Sequence, residues 1–403
     1  MKEKLFHTPL FMAVPQTGLR YAMGAGVKEK HFHTPLFMAV PQTSLRYAMG
    51  ARVKENIILK GCHLQILSLI FICGSIAGMP AICNGVDMQD LQQTVSAIKN
   101  NVEKVLVGKS ETIDLVITAL LANGHILLED VPGTGKTVLA KSLAKSLKAD
   151  FKRIQFTPDL LPSDITGINY YNQKEGDFLF REGPVLTNIL LADEINRATP
   201  RTQSSLLECM EERQITIDGK TYLLKKPFLV IATQNPVETA GTFPLPEAQL
   251  DRFLMQLSMG FPSPSEEVFL LNRFIKASPL ESLIPVCTTE ELLKAQEEIK
   301  DVYLHPSLME YMVSIVQKTR DHKDIVLGVS PRGSLSFLRA VQAYSAIKGF
   351  QYVIPEHIRY IAPYVLSHRL VLKTSFQKIE ASRDILSGIL EDIPVPTENF
   401  SGR

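Results

Sequence analysis

The hydrophobic and polar positions along the chain predict an α/β fold built on a parallel sheet. Apolar runs without alternation are typical of strands buried on both faces, and they occur at 126–128, 189–192 and 228–232. A further strand is predicted at 152–156. Around these runs, apolar residues recur at helical spacing, which predicts helices from Met88 to about 105, at 111–123, from 136 and at 200–213.

Two short antiparallel hairpins are predicted within this region. The first joins the apolar runs at 170–171 and 178–180 across a polar tip. The second joins 215–217 to 221–223 across Asp218-Gly219, a favoured turn dipeptide. Residues 157–167, which lead into the first hairpin, are rich in turn-forming residues and are predicted as a turn segment.

From Ser263 onward the pattern changes from strands to helices. Two capping boxes mark helix starts, Ser263 with Glu266 and Thr288 with Glu291. Further helices are predicted to begin near Pro306, Ser330 and Pro355. The change predicts an α/β core at 88–262 and a small all-α domain at 263–395, followed by a short tail at 396–403.

The first 87 residues differ in kind from the rest of the chain. Residues 2–27 recur as residues 28–53 with 23 of 26 positions identical, which is typical of a recent nucleotide duplication rather than of a repeat fold. Residues 64–83 are mostly apolar, and they are open to interpretation as a membrane anchor, a signal peptide or translated upstream sequence. We favour a working protein that begins near Met88 and is cytoplasmic. A protein anchored in the membrane through 64–83 is the alternative.

Charge and cysteine content limit the classes of function. The formal net charge is +1, but residues 1–87 hold nine Lys and Arg against four Asp and Glu, which leaves 34 against 38 in the remainder. A mildly acidic body does not favour a general nucleic-acid binder. The five cysteines form no metal-like CxxC pair, so free thiols in a reducing compartment are expected.

The strongest chemical motif lies between the strand at 126–128 and the helix that follows it. Its candidate nucleotide-binding residues are Asp130, Val131, Pro132, Gly133, Thr134, Gly135, Lys136 and Thr137. A strand, a Gly-rich loop and a helix N-terminus are the context that a phosphate-binding loop requires. Lys136 would supply a cation for the β- and γ-phosphates of ATP, and Thr137 a hydroxyl for Mg²⁺. Asp130 stands where the general pattern has Gly, and a plain Gly-rich turn is the alternative.

Polar residues also follow the two other buried strands. Asp193 and Glu194 end the run at 189–192, where α/β folds place their ligands. Beside an Mg-nucleotide, Asp193 would hold Mg²⁺ and Glu194 would polarise the attacking water, whereas alone the pair could be solvated charges at a helix start. Asn235 follows the run at 228–232, where it could orient that water or simply form a turn before Pro236.

Arg332 lies in the first turn of the helix that Ser330 caps. The helix dipole disfavours a cation there, so the guanidinium is expected to have an anionic partner. A phosphate bound by the neighbouring domain would supply that anion, and an ordinary surface carboxylate is the alternative.

In order and spacing, these motifs resemble the MoxR-type members of the AAA+ ATPases over about residues 90–395. The segments that carry the resemblance are GHILLEDVPGTGKT (124–137), LLPSDITG (160–167), LLADEINRA (190–198), TQSSLLECMEERQITIDG (202–219), IATQNPVE (231–238), PLPEAQLDRF (244–253), SPRG (330–333) and SHRL (367–370). The resemblance implies an AAA+ P-loop core with a parallel sheet flanked by helices, followed by a small all-α lid. An Asp at position 130 is ordinary in that family.

The resemblance also implies roles for single residues on the phosphate side of the site. Asp193 and Glu194 correspond to the Walker B pair and Asn235 to sensor 1. Arg332 corresponds to sensor 2.

For the arginine finger that acts on a neighbouring subunit's γ-phosphate, Arg252 is the favoured candidate. Arg197 and Arg201 are less favoured. Val107 and Gly108 are expected to border the adenine of the nucleotide.

At the level of the assembly, the resemblance implies a ring-forming homo-oligomer, expected to be a hexamer. It would use ATP and Mg²⁺ to remodel or assemble a protein client, for which a protein with a von Willebrand factor A domain is a candidate. The two hairpins resemble insertions that line the central face of related rings.

Two other classes of function are less favoured. A nucleic-acid motor needs basic hairpin tips, yet Lys174 lies beside Glu175 and Asp177, and Lys220 lies close to Asp218. A nucleotide-gated scaffold with little turnover would be free to lose the water-activating carboxylate at position 194, which this chain retains.

Overall fold

The computed structural model of the chain describes residues 88–236, 241–275, 279–373 and 379–396. The duplicated segment 2–53, the apolar stretch 64–83 and most of the predicted tail lie outside these residues. Within the described ranges, no helix combines the length and apolar character needed to cross a membrane.

The described residues form short strands and helices in alternation, and then mainly helices. The strands are β1 (Ile126–Glu129), β2 (Phe151–Gln155), β3 (Gly167–Asn172), β4 (Asp177–Glu182), β5 (Ile189–Asp193), β6 (Gln214–Ile217), β7 (Lys220–Leu223), β8 (Leu229–Gln234), β9 (Met255–Leu257), β10 (Ile325–Leu327) and β11 (Val371–Leu372). The helices are α1 (Met88–Glu103), α2 (Ser110–Leu121), α3 (Lys136–Ser146), α4 (Pro162–Thr166), α5 (Pro200–Glu212), α6 (Glu247–Leu250), α7 (Pro264–Phe274), α8 (Thr289–Glu298), α9 (Pro306–Asp321), α10 (Pro331–Ile347), α11 (Pro355–Leu366) and α12 (Ile379–Asp392).

A five-stranded parallel sheet organises the core. Its strand order is β2-β5-β8-β1-β9, and each neighbouring pair is parallel. The apolar runs predicted as buried strands are β1, β5 and β8 at its centre, where their apolar residues are almost fully buried. The predicted fold class, a parallel sheet flanked by helices and followed by a helical lid, is therefore confirmed.

The fifth strand, β9, was not predicted from the sequence. It has three residues, and Gln256 in its middle interrupts what would otherwise be an apolar run. All three side chains are nevertheless buried, and the Gln256 amide donates to the Glu129 carboxylate of β1. A buried polar partner thus permits a strand that local pattern alone does not reveal.

Both predicted hairpins are present, β3 with β4 and β6 with β7. They are joined to each other by stacking of Phe180 on Tyr222, with ring centroids 4.3 Å apart, and by an Asn169 Nδ2 hydrogen bond to Asp218 Oδ2 at 2.7 Å. The segment before β3, predicted as turns, contains the short helix α4, which begins at Pro162. The two hairpins therefore form one unit.

The lid begins at α7, and its helix starts agree with the predicted caps. Ser263 and Thr288 both form capping boxes. The buried residues of the lid share one apolar core with α1 and α2. Tyr360 of α11 donates to Glu111 of α2 at 2.6 Å, and Lys348 lies 2.8 Å from Asp114. These contacts hold the lid against the outer helices of the sheet.

Buried histidines make the stability of this fold depend on pH. Burial lowers the pKa of His357 from 6.5 to about 4. Burial also lowers the pKa of His125 and of His368 well below the ordinary value. Below the unfolded value of 6.5 the unfolded chain binds more protons than the folded protein. The contribution of these neutral histidines to the free energy of unfolding is therefore fully present above that pH, and it is lost as the pH falls toward the pKa of the folded state.

We expect the free energy of unfolding in urea to decrease between about pH 7 and pH 5, by up to about 1.4 kcal/mol per pH unit for each such histidine. His357→Gln should reduce that slope by one histidine's share. Ser345→Ala removes the hydroxyl 2.8 Å from His357 Nδ1 but keeps the imidazole, so it should keep the parental slope. An unchanged slope in His357→Gln would contradict this explanation.

Candidate active site

The loop between β1 and α3 has the backbone of a phosphate cradle. Gly133 and Gly135 have φ angles of 89° and 93°, in the left-handed region that favours glycine. Gly135 is also the N-cap residue of α3, so amide groups of the first helical turn are available to an anion. Lys136 Nζ donates to Asp130 O at 2.8 Å, which keeps the cation within the loop.

Asp130, which departs from the general phosphate-loop pattern, has a defined structural role. It is 6% exposed, and its carboxylate accepts hydrogen bonds from Ser258 Oγ at 3.0 Å, from the Gly260 N–H at 3.2 Å and from the Met259 N–H. Those three residues lie between β9 and α7. A glycine could not make these bonds, so Asp130 ties the phosphate loop to the segment that leads into the lid.

Asp193 and Glu194 lie where β5 ends, and Thr233 of β8 orients both. Thr233 Oγ1 donates to Asp193 Oδ1 at 2.6 Å and accepts from the Glu194 N–H at 2.9 Å. Glu194 has a φ of 55°, which is uncommon for a residue other than glycine. The pair is thus fixed by the neighbouring strand, unlike solvated charges at the start of an α-helix.

Two side chains of β2 contact the same carboxylates, and neither was predicted from the sequence. Arg153 Nη2 lies 2.7 Å from Asp193 Oδ2, and Gln155 Nε2 donates to Glu194 Oε2 at 2.6 Å. Residues two apart on a strand share a face, so both reach the same site. The sequence does show two polar residues at alternate positions near the carboxyl end of a predicted strand. It does not show that β2 pairs with β5, and without that pairing these residues could not be assigned to the site.

Most of the predicted residues of the phosphate side line one cavity of about 390 Å³, whereas Asp130, Val131 and Thr134 are not part of its wall. Its wall consists of Pro132, Gly133, Gly135, Lys136, Thr137, Val138, Arg153, Gln155, Asp193, Glu194 and Asn235. The donor set fits an Mg-nucleotide: a lysine and helix-start amides suit phosphate, while hydroxyl and carboxylate oxygens suit a hard cation. Asn235 is 6% exposed at the end of β8, on the same edge of the sheet.

Val107 and Gly108 lie near this cavity, on the loop between α1 and α2, although they are not part of its wall. Their neighbour Leu106 would lie 3.5 Å from a Cβ at Gly135. Lys109 Nζ donates to Phe261 O at 3.1 Å, which joins the loop to the segment before α7. The adenine-bordering role of the two residues stays a prediction.

Arg252 and Arg332 lie together, bound to one carboxylate. Arg252 Nε is 3.0 Å from Glu211 Oε2, and Arg332 Nη2 is 2.9 Å from Glu211 Oε1. The side chains are 28%, 42% and 35% exposed for Arg252, Arg332 and Glu211. The end of α5 therefore pairs an arginine of the core with an arginine of the lid at a surface that another molecule can reach.

This arginine pair lies at the edge of the sheet opposite the phosphate loop. The Leu254 N–H donates to His125 O at 2.8 Å, and His125 Nε2 lies 3.1 Å from Met210 O. Because His125 precedes β1, both the segment of Arg252 and the end of α5 lie at the amino edge. The four residues of β1 separate that edge from the phosphate loop, a span of about 13 Å at about 3.3 Å per residue.

The other predicted pairings and finger candidates have different positions. Arg252 binds Glu211 and not its neighbours in the chain, Asp251 and Glu247. Arg197 Nε lies 3.0 Å from Glu194 Oε2, inside the site of its own subunit. Arg201 is exposed in the first turn of α5.

Comparisons with known proteins agree with this fold. Residues 125–255 match the family described as ATPase family associated with various cellular activities (AAA), and residues 317–389 match the AAA lid domain. Protein YeaC of Bacillus subtilis (strain 168) is 50% identical over 317 residues, which cover 78% of this chain and 99% of that protein. Chaperone MoxR1 of Mycobacterium tuberculosis is 40% identical over 308 residues, which cover 74% of this chain and 81% of that protein. The chain belongs to the MoxR family of AAA+ ATPases.

A crystal structure supports the same relationship for the fold of this MoxR-family chain. It is of a protein from Cytophaga hutchinsonii ATCC 33406 proposed to be an ATPase, with 37% identity and a TM-score of 0.71. The match covers 77% of this chain and 97% of that one. The AAA match includes Lys136, Glu194 and Arg252, and the lid match includes Arg332.

Proposed function

We propose that this MoxR-family protein hydrolyses ATP at active sites that neighbouring subunits complete for one another. The observation that carries the proposal is the convergence of Arg252 and Arg332 on Glu211, at the edge of the sheet opposite the phosphate cavity. The two guanidinium groups of one subunit would then serve the cavity of another. The γ-phosphate held by that neighbour would replace Glu211 as their anionic partner.

Within one subunit, residues of the cavity would bind the nucleotide and move the proton. Lys136 and the loop amides would hold the β- and γ-phosphates, and Thr137 and Asp193 would hold Mg²⁺. The bound ion supplies positive charge against the charge that develops on the phosphate oxygens. Glu194 would take the proton of the attacking water, which Asn235 would orient.

An arginine pair that serves a neighbour implies a head-to-tail homo-oligomer, and a hexameric ring is the expected closed form. The proposed work of the ring is the remodelling or assembly of a protein client. The name of chaperone MoxR1, a relative of this chain, is consistent with such work. On the paired hairpins, Tyr170, Tyr171 and Phe178 are 44%, 54% and 66% exposed, which offers apolar surface to a polypeptide.

The proposed client includes a protein with a von Willebrand factor A domain. We place this activity in the cytoplasm, where thiols such as those of Cys209 and Cys287 remain reduced.

Lys136→Ala and Glu194→Gln should separate nucleotide binding from hydrolysis. Loss of the Lys136 cation should weaken the affinity for a fluorescent ATP analogue by about 10- to 100-fold. Glu194→Gln should keep that affinity and lower steady-state hydrolysis by about 10²- to 10⁴-fold. The matched controls are Lys141→Ala on the same helix and the exposed Glu212→Gln. Parental turnover in Glu194→Gln would remove Glu194 from the role of base.

Mixing two inactive variants should restore activity if Arg252 acts on a neighbour. An arginine finger is worth about 10³- to 10⁵-fold in rate, so Arg252→Ala alone should be nearly inactive. Mixed with Lys136→Ala, it should regain hydrolysis, because some interfaces then join an intact loop to an intact finger. The exposed Arg339→Ala, a change on α10, should stay active by itself. No recovery in mixtures shown to co-assemble would mean that Arg252 acts within its own subunit or not at all.

A further inference from the structure

The Ser-His-Arg-Leu segment at 367–370 contains a buried arginine to which the mechanism above gives no role. The segment forms a 3-10 turn, Ser367–Arg369, at the end of α11 in the lid. The side chain of Arg369 is 2% exposed, and burial lowers its pKa to about 10, which leaves it charged at neutral pH. A buried charge of this kind requires several well-placed partners.

Those partners are on the core segment that carries Arg252. Arg369 Nε lies 2.7 Å from Asp251 Oδ1, Nη2 donates to Phe253 O at 2.7 Å, and Nη1 donates to Leu254 O at 3.3 Å. The planar guanidinium thus binds the residue before Arg252 and the two residues after it. A fork with five N–H donors can make such a set of bonds, and a lysine ammonium cannot.

The lid holds the same segment at a second point. Ser330, the N-cap of α10, donates from Oγ to Asp251 Oδ2 at 2.9 Å. Two residues further along, Arg332 shares Glu211 with Arg252. Both oxygens of Asp251 are therefore bound by the lid, and both arginines lie on the single body that results.

We propose that Arg369 is a positioning residue, which fixes the backbone around Arg252 so that Arg252 and Arg332 approach a neighbouring subunit's phosphate together. Movement of the lid then moves both guanidinium groups, and hydrolysis in one subunit depends on the position of the lid in the next. This role of Arg369 rests on the proposed function. The experiment must therefore distinguish a failure of the Arg369 role from a failure of the proposed function.

A general role in attaching the lid is the competing explanation, and the structure offers a control for it. Tyr360 also joins the lid to the core, through its hydroxyl and Glu111, on α2 and away from Arg252. Tyr360→Phe removes that hydrogen bond. If Arg369 merely attached the lid, Arg369→Lys and Tyr360→Phe would affect hydrolysis in the same way.

The experiment uses full-length Arg369→Lys, with Asp251→Asn as a second variant of nearly unchanged shape. Both should bind fluorescent ATP within about twofold of the parental affinity and keep KM, while kcat falls by about 100-fold, the effect of a misplacement of about 1 Å. Tyr360→Phe should keep the parental kcat. Thermal unfolding identifies a variant that does not fold. If Arg369→Lys does not fold, the kcat of Asp251→Asn tests the proposal.

Mixtures give the decisive comparison. Arg369→Lys with Lys136→Ala should regain hydrolysis, because the Lys136→Ala subunits supply a well-placed Arg252 to intact loops. Arg369→Lys with Arg252→Ala should not regain hydrolysis, since Arg252 is misplaced in one variant and absent in the other.

Recovery for Arg252→Ala with Lys136→Ala, but none for Arg369→Lys with Lys136→Ala, would overturn the role of Arg369 and leave the proposed function standing. Parental kcat in both variants would also overturn it. Absence of recovery in every mixture would instead reject the shared active site itself.

Discussion

The opposition between the two edges of a parallel sheet is the constraint on which the rest of this structure depends. The carboxyl ends of β1, β5 and β8 gather the phosphate loop, the carboxylates and Asn235 into one cavity. Because β9 runs parallel to β1, the segment before it must lie at the amino edge. Arg252 therefore could not approach the cavity of its own subunit unless β9 separated from the sheet. An arginine finger at this position requires a second copy of the chain.

The lid connects the two edges of the sheet, because it is joined to both the phosphate loop and the segment of Arg252. At one end it is tied to the phosphate loop of its own subunit, since α7 begins just after the segment that Asp130 binds. At the other end, Ser330 and Arg369 hold Asp251 beside Arg252. One body thus lies between the phosphate loop of its own subunit and the arginine pair on Glu211. Such an arrangement suits a ring in which hydrolysis passes between neighbours.

Local signals predicted much of this arrangement, and distant pairs account for the remainder. Apolar runs predicted the central strands, and Gly-Lys-Thr predicted the loop, because each signal lies within a few residues. The strand β9 was not predicted because Gln256 interrupts its apolar run. The convergence of Arg252 and Arg332 on Glu211 could not be predicted either, since ion pairs between residues far apart in the chain depend on packing of α5 against the lid.

The central claim is most directly tested by an electron cryo-microscopy structure of the assembled Glu194→Gln protein with ATP and Mg²⁺. The expected result is that Arg252 and Arg332 of one subunit lie about 2.7–2.9 Å from the γ-phosphate oxygens held by its neighbour. Both should then have left Glu211, while Arg369 remains bound to Asp251. Arg332 on the γ-phosphate of its own subunit, with the lid separated from Asp251, would contradict the account.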